Sequence, residues 1–325
     1  MNIIAYKLPE DQTKYIYQSS DARSIDKGWE ESSFLIYPFD PQKTPLLYPL
    51  GERMESIDQN MFLENIRDFG FRELTKGEYF DYIENIITGL KGYNDKKIVA
   101  SRRSHLKNNK SINEIFNSLC ENYPKAFVFC LSTEKFGCWI GASPEMLLEK
   151  EKDVVRSMSL AGTKRSGSDD DWDIKNKLEQ KIVTDLITAV FKNNNLEPDI
   201  KSHQTLKNGN VEHLMTLIEG RYNGLQDMTT LIRELSPTPA LSGFPRQEAL
   251  ETIRLHEGDR QLFGGCCGPV FSNSDFRLNV MIRCGCIERL NEITLFAGGG
   301  ITALSEPEKE WDETEQKMKN MKNVL

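Results

Sequence analysis

A lysine and a glutamate in this chain occur in settings where they could transfer protons. Lys97 begins the run Lys97-Ile98-Val99-Ala100-Ser101-Arg102, and if this run is a strand, Lys97 and Val99 face the same side. Glu145 follows Ser143-Pro144 between two apolar runs. A buried lysine can act as a general base, because burial disfavours the charged ammonium, and a partly desolvated carboxyl group can act as a general acid. The alternatives are a strand-end lysine that reaches water and a glutamate in a surface turn.

Three glutamates predict a site for a divalent cation. Glu310 and Glu313 fall on one face near the start of a predicted helix, and Glu179 lies beside apolar residues on another predicted helix. Carboxylates that lie close together repel unless a cation separates them, and a set of oxygen ligands suits Mg²⁺. The alternative is that acids at a helix start only interact with the helix dipole, at about 0.3–1 kcal/mol each.

Other residues could bind a small anion. Gly298-Gly299-Gly300 follows a predicted strand, and successive glycines let backbone N–H groups converge on an anion. Arg283 lies in an apolar run, where a buried guanidinium needs a carboxylate partner from a ligand or from an internal salt bridge. Ala161-Gly162-Thr163 ends a predicted strand and offers an N–H and a hydroxyl, or is a plain turn. His213 fits a hydrogen-bonded core histidine better than a catalytic one.

Composition limits the classes of function. The chain has 325 residues, 38% hydrophobic and 28% charged, which is typical of a soluble globular protein. The net charge of -8 argues against nucleic acid as the main partner, because phosphate binding needs a basic face. The sequence contains no apolar run near the ~20 residues of a membrane span and no recognisable secretory signal. Seven cysteines without a CxxC pair fit reduced, buried thiols. We expect a cytoplasmic monomer that does not bind membranes.

The elements that hold these residues are predicted from apolar periodicity. Helices are predicted over 58–69, over 174–191, and after Ser305, which has capping-box spacing with Glu308. Because helices alternate with hairpins, we predict a mixed α/β (α+β) fold with a large, mainly antiparallel sheet flanked by helices. The predicted strands are 3–6, 15–17, 34–37, 125–131, 138–142, 146–148, 154–157, 261–270, 276–287 and 292–296.

These residues, in this order, resemble the chorismate-utilising enzymes. The resemblance implies the chorismate-binding fold in a single structural domain, with 1–90 as a variable N-terminal part and 91–325 as the catalytic region. Within the family, the likeness is greatest to the enzymes that convert chorismate to isochorismate. The matching segments are 97–102, 143–145, 160–163, Glu179, His213, 237–245, Arg283, 298–301 and 306–317.

The resemblance also implies roles for the matching residues. Lys97 would activate water for attack at C2 of chorismate, and Glu145 would protonate the departing C4 hydroxyl. Mg²⁺ would bridge the ring carboxylate to Glu179 and Glu313, with Glu310 nearby. The substrate-binding residues implied are Ala161, Gly162, Thr163, His213, Ala240, Phe263, Arg283, Gly298, Gly300 and Lys317, among which Arg283 would bind the enolpyruvyl carboxylate.

Two positions bear on the product. Relatives that form a covalent intermediate have a lysine where this chain has Ala161, and salicylate and anthranilate synthases have a threonine where it has Ala240. The resemblance therefore implies water as the nucleophile and isochorismate as the product, for menaquinone or siderophore biosynthesis. A salicylate- or anthranilate-type lyase and a non-catalytic ligand-binding relative are the alternatives. Phe263 and Gln180 depart from the family pattern, which commonly has tyrosine and histidine there.

Overall fold

The computed structural model describes residues 1–29, 32–93, 96–167, 171–208, 211–271 and 275–325. The strands of this part are β1 (Asn2–Lys7), β2 (Tyr15–Ser19), β3 (Arg23–Ser24), β4 (Ser33–Tyr37), β5 (Leu46–Arg53), β6 (Lys97–Lys107), β7 (Phe127–Thr133), β8 (Gly137–Ser143), β9 (Met146–Glu151), β10 (Val154–Arg165), β11 (Asp199–Ile200), β12 (Gln204–Asn208), β13 (Val211–Arg221), β14 (Gly243–Phe244), β15 (Cys266–Val270), β16 (Phe276–Val280), β17 (Cys284–Arg289) and β18 (Glu292–Ile301). The helices are α1 (Gln59–Leu63), α2 (Lys76–Leu90), α3 (Ile112–Asn122), α4 (Ile174–Asn193), α5 (Met228–Leu235), α6 (Arg246–Glu257) and α7 (Pro307–Lys322).

The strands form two antiparallel layers that share β5. The first layer has the order β5-β2-β1-β7-β8-β17-β18-β6-β14. The second runs β5-β4-β15-β16-β9-β10-β13, with β11 and β12 both paired to β13. The predicted mixed α/β fold with a large antiparallel sheet is therefore confirmed.

Alternation along the strands divides the core in two. In β1, Ile4 and Tyr6 point into the cluster between the layers, whereas Ile3 and Ala5 point to the outer cluster beneath α1, α3 and α7. This division follows from the two-residue period of a strand, which sends neighbouring side chains to opposite faces. The central strands β1, β7 and β8 are thus buried on both faces along their whole length. No helix among the described residues has the length and apolar character needed to cross a membrane.

The prediction of one strand over residues 276–287 is wrong at its centre. The structure ends β16 at Val280 and begins β17 at Cys284, because the chain crosses here from the second layer to the first. Arg283 adopts a left-handed backbone with φ 51°, and its carbonyl accepts a hydrogen bond from the Ala142 N–H at 3.1 Å. Gly141 permits this approach, since a Cβ there would lie 2.9 Å from the Arg283 oxygen. The crossing opens the sheet beside β18.

The triple glycine was predicted to follow a strand. In the structure it lies inside one. Gly298, Gly299 and Gly300 belong to β18 and pair with β6, and none of them has a positive φ. No described strand pairs with this end of β18 on its other edge, since β17 reaches only the residue paired with Leu295. The glycines therefore form part of an open sheet edge, and the predicted strand continues through them.

Three other local predictions are also wrong. Helix α1 ends at Leu63, well before residue 69, because Asn65 turns away to donate to the Met1 carbonyl and to Ser132 Oγ. The first half of the predicted strand 261–270 is a turn, and β15 begins only at Cys266. The cap of α7 is Glu306, while Ser305 Oγ accepts a hydrogen bond from the Thr302 N–H, so Ser305 and Glu308 form no capping box.

Candidate active site

A cavity lies at the open edge of β18, where β17 has left the sheet. It encloses about 590 Å³ of space free of protein atoms, counting its open mouth. Strand ends, turns and two helices contribute to its wall. The lining residues are Glu145, Leu160, Ala161, Gly162, Glu179, His213, Ala240, Leu241, Phe263, Ile282, Arg283, Phe296, Ala297, Gly298, Gly299, Gly300 and Lys317.

Most of the residues singled out in the sequence meet at this cavity. Lys97 is not part of the lining surface but reaches it through an ion pair with Glu179. Glu310 and Glu313 lie behind the lining, next to Gly299, and the side chain of Thr163 is outside the described part of the structure. The apolar lining residues were not recognised from the sequence, because they have no reactive group to mark them. They are Leu160, Leu241, Ile282, Phe296 and Ala297.

Lys97 and Glu179 form a buried ion pair at one side of the cavity. Lys97 begins β6, Glu179 lies on α4, and Lys97 Nζ is 2.8 Å from Glu179 Oε1. The lysine side chain is 0% exposed, so it does not reach bulk water as a strand-end lysine would. The contact has ion-pair distance but not the direction of a good hydrogen bond. Gly300 makes room for both groups, since a Cβ there would overlap Glu179 Oε1 and lie 2.5 Å from Lys97 Cε.

Glu145 lies in the short link between β8 and β9. Its N–H donates to Ser143 Oγ at 3.2 Å, and its carbonyl accepts from the Val280 N–H at 3.0 Å. These bonds hold the residue with its carboxyl group in the cavity wall, where it is only 2% exposed. Burial raises the pKa of Glu145 to about 8, although the charges of nearby Lys97, Lys317 and Arg283 act to lower it. The group is therefore protonated at neutral pH, and Glu145 is not a surface turn residue.

Arg283 also lines the cavity and is held there by neutral groups. Its Nη1 donates to the Lys317 carbonyl at 3.2 Å, and its Nη2 lies 2.9 Å from His213 Nε2. Among the described residues, no carboxylate lies within ion-pair distance of the guanidinium, so the internal salt bridge considered from the sequence is not present there. Burial lowers the pKa of Arg283 to about 10, so at neutral pH the side chain remains charged. A cation in this state is suited to bind a carboxylate from a ligand.

The acidic face of α7 approaches the same strand edge. Lys317 Nζ lies 2.6 Å from Glu313 Oε1 and donates to the Gly298 carbonyl at 2.8 Å, which fixes the helix against β18. A Cβ at Gly299 would lie 2.9 Å from Glu310 Oε2 and 3.5 Å from Glu313 Oε1. A side chain at this position would therefore force the Glu310 carboxylate to move.

The donor groups fit a hard divalent cation in type. Glu179 approaches Gly300, and Glu310 and Glu313 approach the adjacent Gly299, so carboxylate oxygens from α4 and α7 meet neighbouring residues of one strand. Oxygen-only donors suit Mg²⁺, which usually keeps several ligands from water or substrate. Among the described residues, no three acidic, histidine or cysteine side chains gather closely enough to hold an ion by themselves. Water and ligand oxygens would have to complete the coordination.

Comparisons with known proteins show the family of this chain and agree with its fold. The family model described as Chorismate binding enzyme matches residues 52–325, and the chain belongs to this family. It is 35% identical over 243 residues to the isochorismate synthase EntC of Escherichia coli (strain K12), covering 70% of this chain and 62% of EntC. It is 32% identical over 267 residues to the isochorismate synthase MenF of Bacillus subtilis (strain 168), covering 78% of this chain and 56% of MenF. The matches thus span less than two thirds of either relative.

A solved structure supports the fold over the whole length. The structure of MenF, the menaquinone-specific isochorismate synthase from Escherichia coli, matches with a TM-score of 0.81 and 20% sequence identity. The match covers 100% of this chain and 89% of that one. At this identity the likeness concerns the fold, and the chemistry has to be argued from the residues of the cavity.

Proposed function

We propose that this chain is an isochorismate synthase that adds water at C2 of chorismate and removes the C4 hydroxyl. One observation carries the proposal: a single cavity is lined by a carboxyl group that keeps its proton at neutral pH and by a charged arginine held by neutral groups, and a buried lysine lies directly behind its Glu179. These are a base, an acid and a carboxylate-binding group, which the reaction requires together. The named relatives support the same assignment, since two of them are isochorismate synthases.

The proton transfers balance with the proposed residues. Lys97 would first give up the proton that it holds in the ion pair with Glu179. As the neutral amine it then takes a proton from water while the water oxygen bonds to C2. The ring π electrons shift, the C4–O bond breaks, and Glu145 gives its proton to the departing hydroxyl, which leaves as water. One water enters and one leaves, so the product is an isomer of the substrate. Lys97 ends protonated and Glu145 ionised, and proton exchange with solvent restores both.

The binding groups would orient the substrate between these two residues. Arg283 would hold the enolpyruvyl carboxylate, and the edge of β18 with Lys317 would face the ring carboxylate. We assign Glu179, Glu310 and Glu313 as the residues that would hold Mg²⁺, which when bound would neutralise and orient the ring carboxylate. Orientation of this kind contributes to rate because the reacting groups are already aligned. We also propose that the protein is a cytoplasmic monomer. Its product would be used in menaquinone or siderophore biosynthesis.

The test is a product assay of the purified protein with chorismate, with and without Mg²⁺. The proposal expects isochorismate to form only with Mg²⁺ and pyruvate to remain at the background rate. Release of pyruvate in step with chorismate loss would instead identify a salicylate- or anthranilate-type lyase. Tight chorismate binding without any turnover would identify a non-catalytic relative. The Lys97→Ala variant serves as the control, and unchanged turnover in it would remove Lys97 from the mechanism.

A further inference from the structure

We propose that His213 is a positioning residue, whose neutral imidazole holds Arg283 in place through Nε2 and exchanges no proton with the ligand. The ligand in question is the carboxylate of the proposed substrate, so this part of the inference rests on the proposed function. The tautomer of His213 and its bond to Arg283 do not depend on the proposed function, because they are properties of the protein alone.

The tautomer follows from what each partner can donate. A guanidinium has N–H donors and no acceptor, so the 2.9 Å contact between Arg283 Nη2 and His213 Nε2 requires a lone pair on Nε2. The other ring nitrogen, Nδ1, lies 3.0 Å from the Gly162 carbonyl, which can only accept. Nδ1 must therefore carry the proton. Both nitrogens are satisfied only by a neutral ring with its proton on Nδ1.

The imidazole has no nitrogen left for acid–base chemistry. Its Nδ1–H is used by Gly162 and its Nε2 lone pair is used by Arg283. Burial, together with the charges of Arg283 and Lys317, lowers the pKa of His213 to about 3, which agrees with a ring that stays neutral. A histidine in this state cannot take a proton from a ligand without giving up its bond to the arginine.

The arginine keeps enough donors for a carboxylate. A guanidinium has five N–H groups, and His213 and the Lys317 carbonyl use two of them, so 5 − 2 = 3 remain. A bidentate carboxylate needs two parallel N–H groups, which the remaining three can supply. The backbone is constrained as well, because Arg283 has φ 51° and is tied to β8 through Ala142. His213, together with the Lys317 carbonyl, thus restrains the guanidinium plane of Arg283, which the backbone leaves free to turn.

The same bond connects the two sheet layers at the cavity. Gly162 and His213 belong to β10 and β13 of the second layer, whereas Arg283 directly precedes β17 of the first. The imidazole therefore spans the gap that opens where the chain changes layers. Loss of this connection is expected to loosen carboxylate binding more than it slows the bond-making step.

The first test reads the tautomer directly. The chain has four histidines, so selective ¹⁵N labelling gives a spectrum in which the ring of His213 can be assigned by its loss in the His213→Gln variant. Long-range ¹H–¹⁵N correlation on the full-length protein without ligand should show a proton on Nδ1 and none on Nε2. A proton on Nε2, or on both nitrogens, overturns the proposal whether or not the protein turns over chorismate.

The second test separates positioning from catalysis. His213→Leu should raise KM for chorismate roughly 10- to 100-fold, as expected for losing a hydrogen bond to a charged group, with a much smaller fall in kcat. His213→Gln, which keeps one donor and one acceptor, should recover part of this loss. His105→Leu is the matched control, because His105 bonds Thr294 at the far end of β6, and its KM should be unchanged.

Other outcomes contradict the inference. A fall in kcat at constant KM in His213→Leu would assign a proton-transfer role, and a lower melting temperature with unchanged KM would assign a purely structural one. If His213→Leu does not fold, the inference is tested by the kinetics of His213→Gln and by the spectrum of the unmodified protein. Absence of any turnover in the unmodified protein would refute the proposed function and leave the tautomer result standing.

Discussion

Two buried glutamates, Glu257 and Glu145, differ in charge, and the reason lies in the groups that surround each of them. Glu257 accepts hydrogen bonds from the Ser101 N–H at 2.8 Å, from the Tyr82 hydroxyl at 3.0 Å and from Arg260 Nε at 2.8 Å. Burial alone would raise the pKa of Glu257, but the Arg260 charge and these bonds outweigh it and hold the pKa below its usual value. Glu145 has no carboxylate-to-cation pair among the described residues, and burial raises its pKa to about 8.

Arg260, the partner of Glu257, also has its hydrogen-bonding groups occupied. Arg260 donates to the Val99 carbonyl at 2.7 Å and to the Leu241 carbonyl at 2.8 Å, which joins the strand that carries Lys97 to the loop beside Ala240. A buried carboxylate whose acceptor sites are filled is stable and inert. A buried carboxyl that faces a cavity keeps its proton and is able to give it to a ligand. Burial alone therefore does not single out a candidate catalytic group, whereas burial beside unfilled space does.

The largest expected effect is on catalysis, in Glu145→Gln. The amide has the same shape but cannot protonate the departing hydroxyl, so kcat should fall about 10²- to 10⁴-fold. The free energy of unfolding should stay the same or rise, since the variant removes a buried acid that has no ion pair. Steady-state kinetics and urea denaturation measure the two quantities. Turnover within tenfold of the unmodified protein would show that Glu145 is not the acid.

A substitution at the Arg260–Glu257 pair should affect the stability of the protein. Arg260→Met leaves Glu257 buried and ionised without its partner, and the free energy of unfolding should fall by about 3–5 kcal/mol. The double variant Arg260→Met with Glu257→Gln should regain part of this loss, because it removes the stranded charge. Urea denaturation followed by circular dichroism provides the measurement. A loss below about 1 kcal/mol would mean that the pair contributes little.

A smaller effect is expected from one methyl group at the cavity. In Gly300→Ala the added Cβ would overlap Glu179 Oε1 and displace Lys97, so activity should fall about 10²-fold, as for a misplacement of about 1 Å. Gly89→Ala is the matched control, since its Cβ would meet nothing within 4 Å on an exposed helix surface. That variant should keep full activity and gain about 0.5–1 kcal/mol of stability. Equal activities in the two alanine variants would contradict the proposed crowding at Gly300.

The smallest effect is a pH dependence. Glu145 acts as an acid only in its protonated form, which is the main form below its pKa of about 8 and the minor form above it. A plot of kcat/KM, which reports the free enzyme, should therefore fall about tenfold per pH unit above pH 8. The residual activity of Glu145→Gln should lack this descending limb. A limb that persists in the variant would have to come from another group.

Much of the site could be predicted because its chemistry is local. Residue type and neighbours made Lys97, Glu145 and Arg283 candidates, the family resemblance implied that they share a site, and the structure places all three at or beside one cavity. The roles of these residues remain predictions. The apolar wall could not be predicted, since Phe296 and Ile282 resemble any core residue until the layers are assembled. Gly300 was predicted as an anion-binding glycine, whereas the structure shows a position where a side chain would collide with Lys97 and Glu179.

The sequence by itself determined the type of fold and the reactive groups, because apolar alternation and side-chain chemistry are properties of short segments. Only the tertiary structure decided where the sheet opens and which buried groups are charged. The break at Arg283 is hidden in an apolar run, because crossing from one layer to the other depends on strand partners far away in the chain. The protonated Glu145 and the ionised Glu257 are alike in sequence and differ only in the groups that folding brings against them.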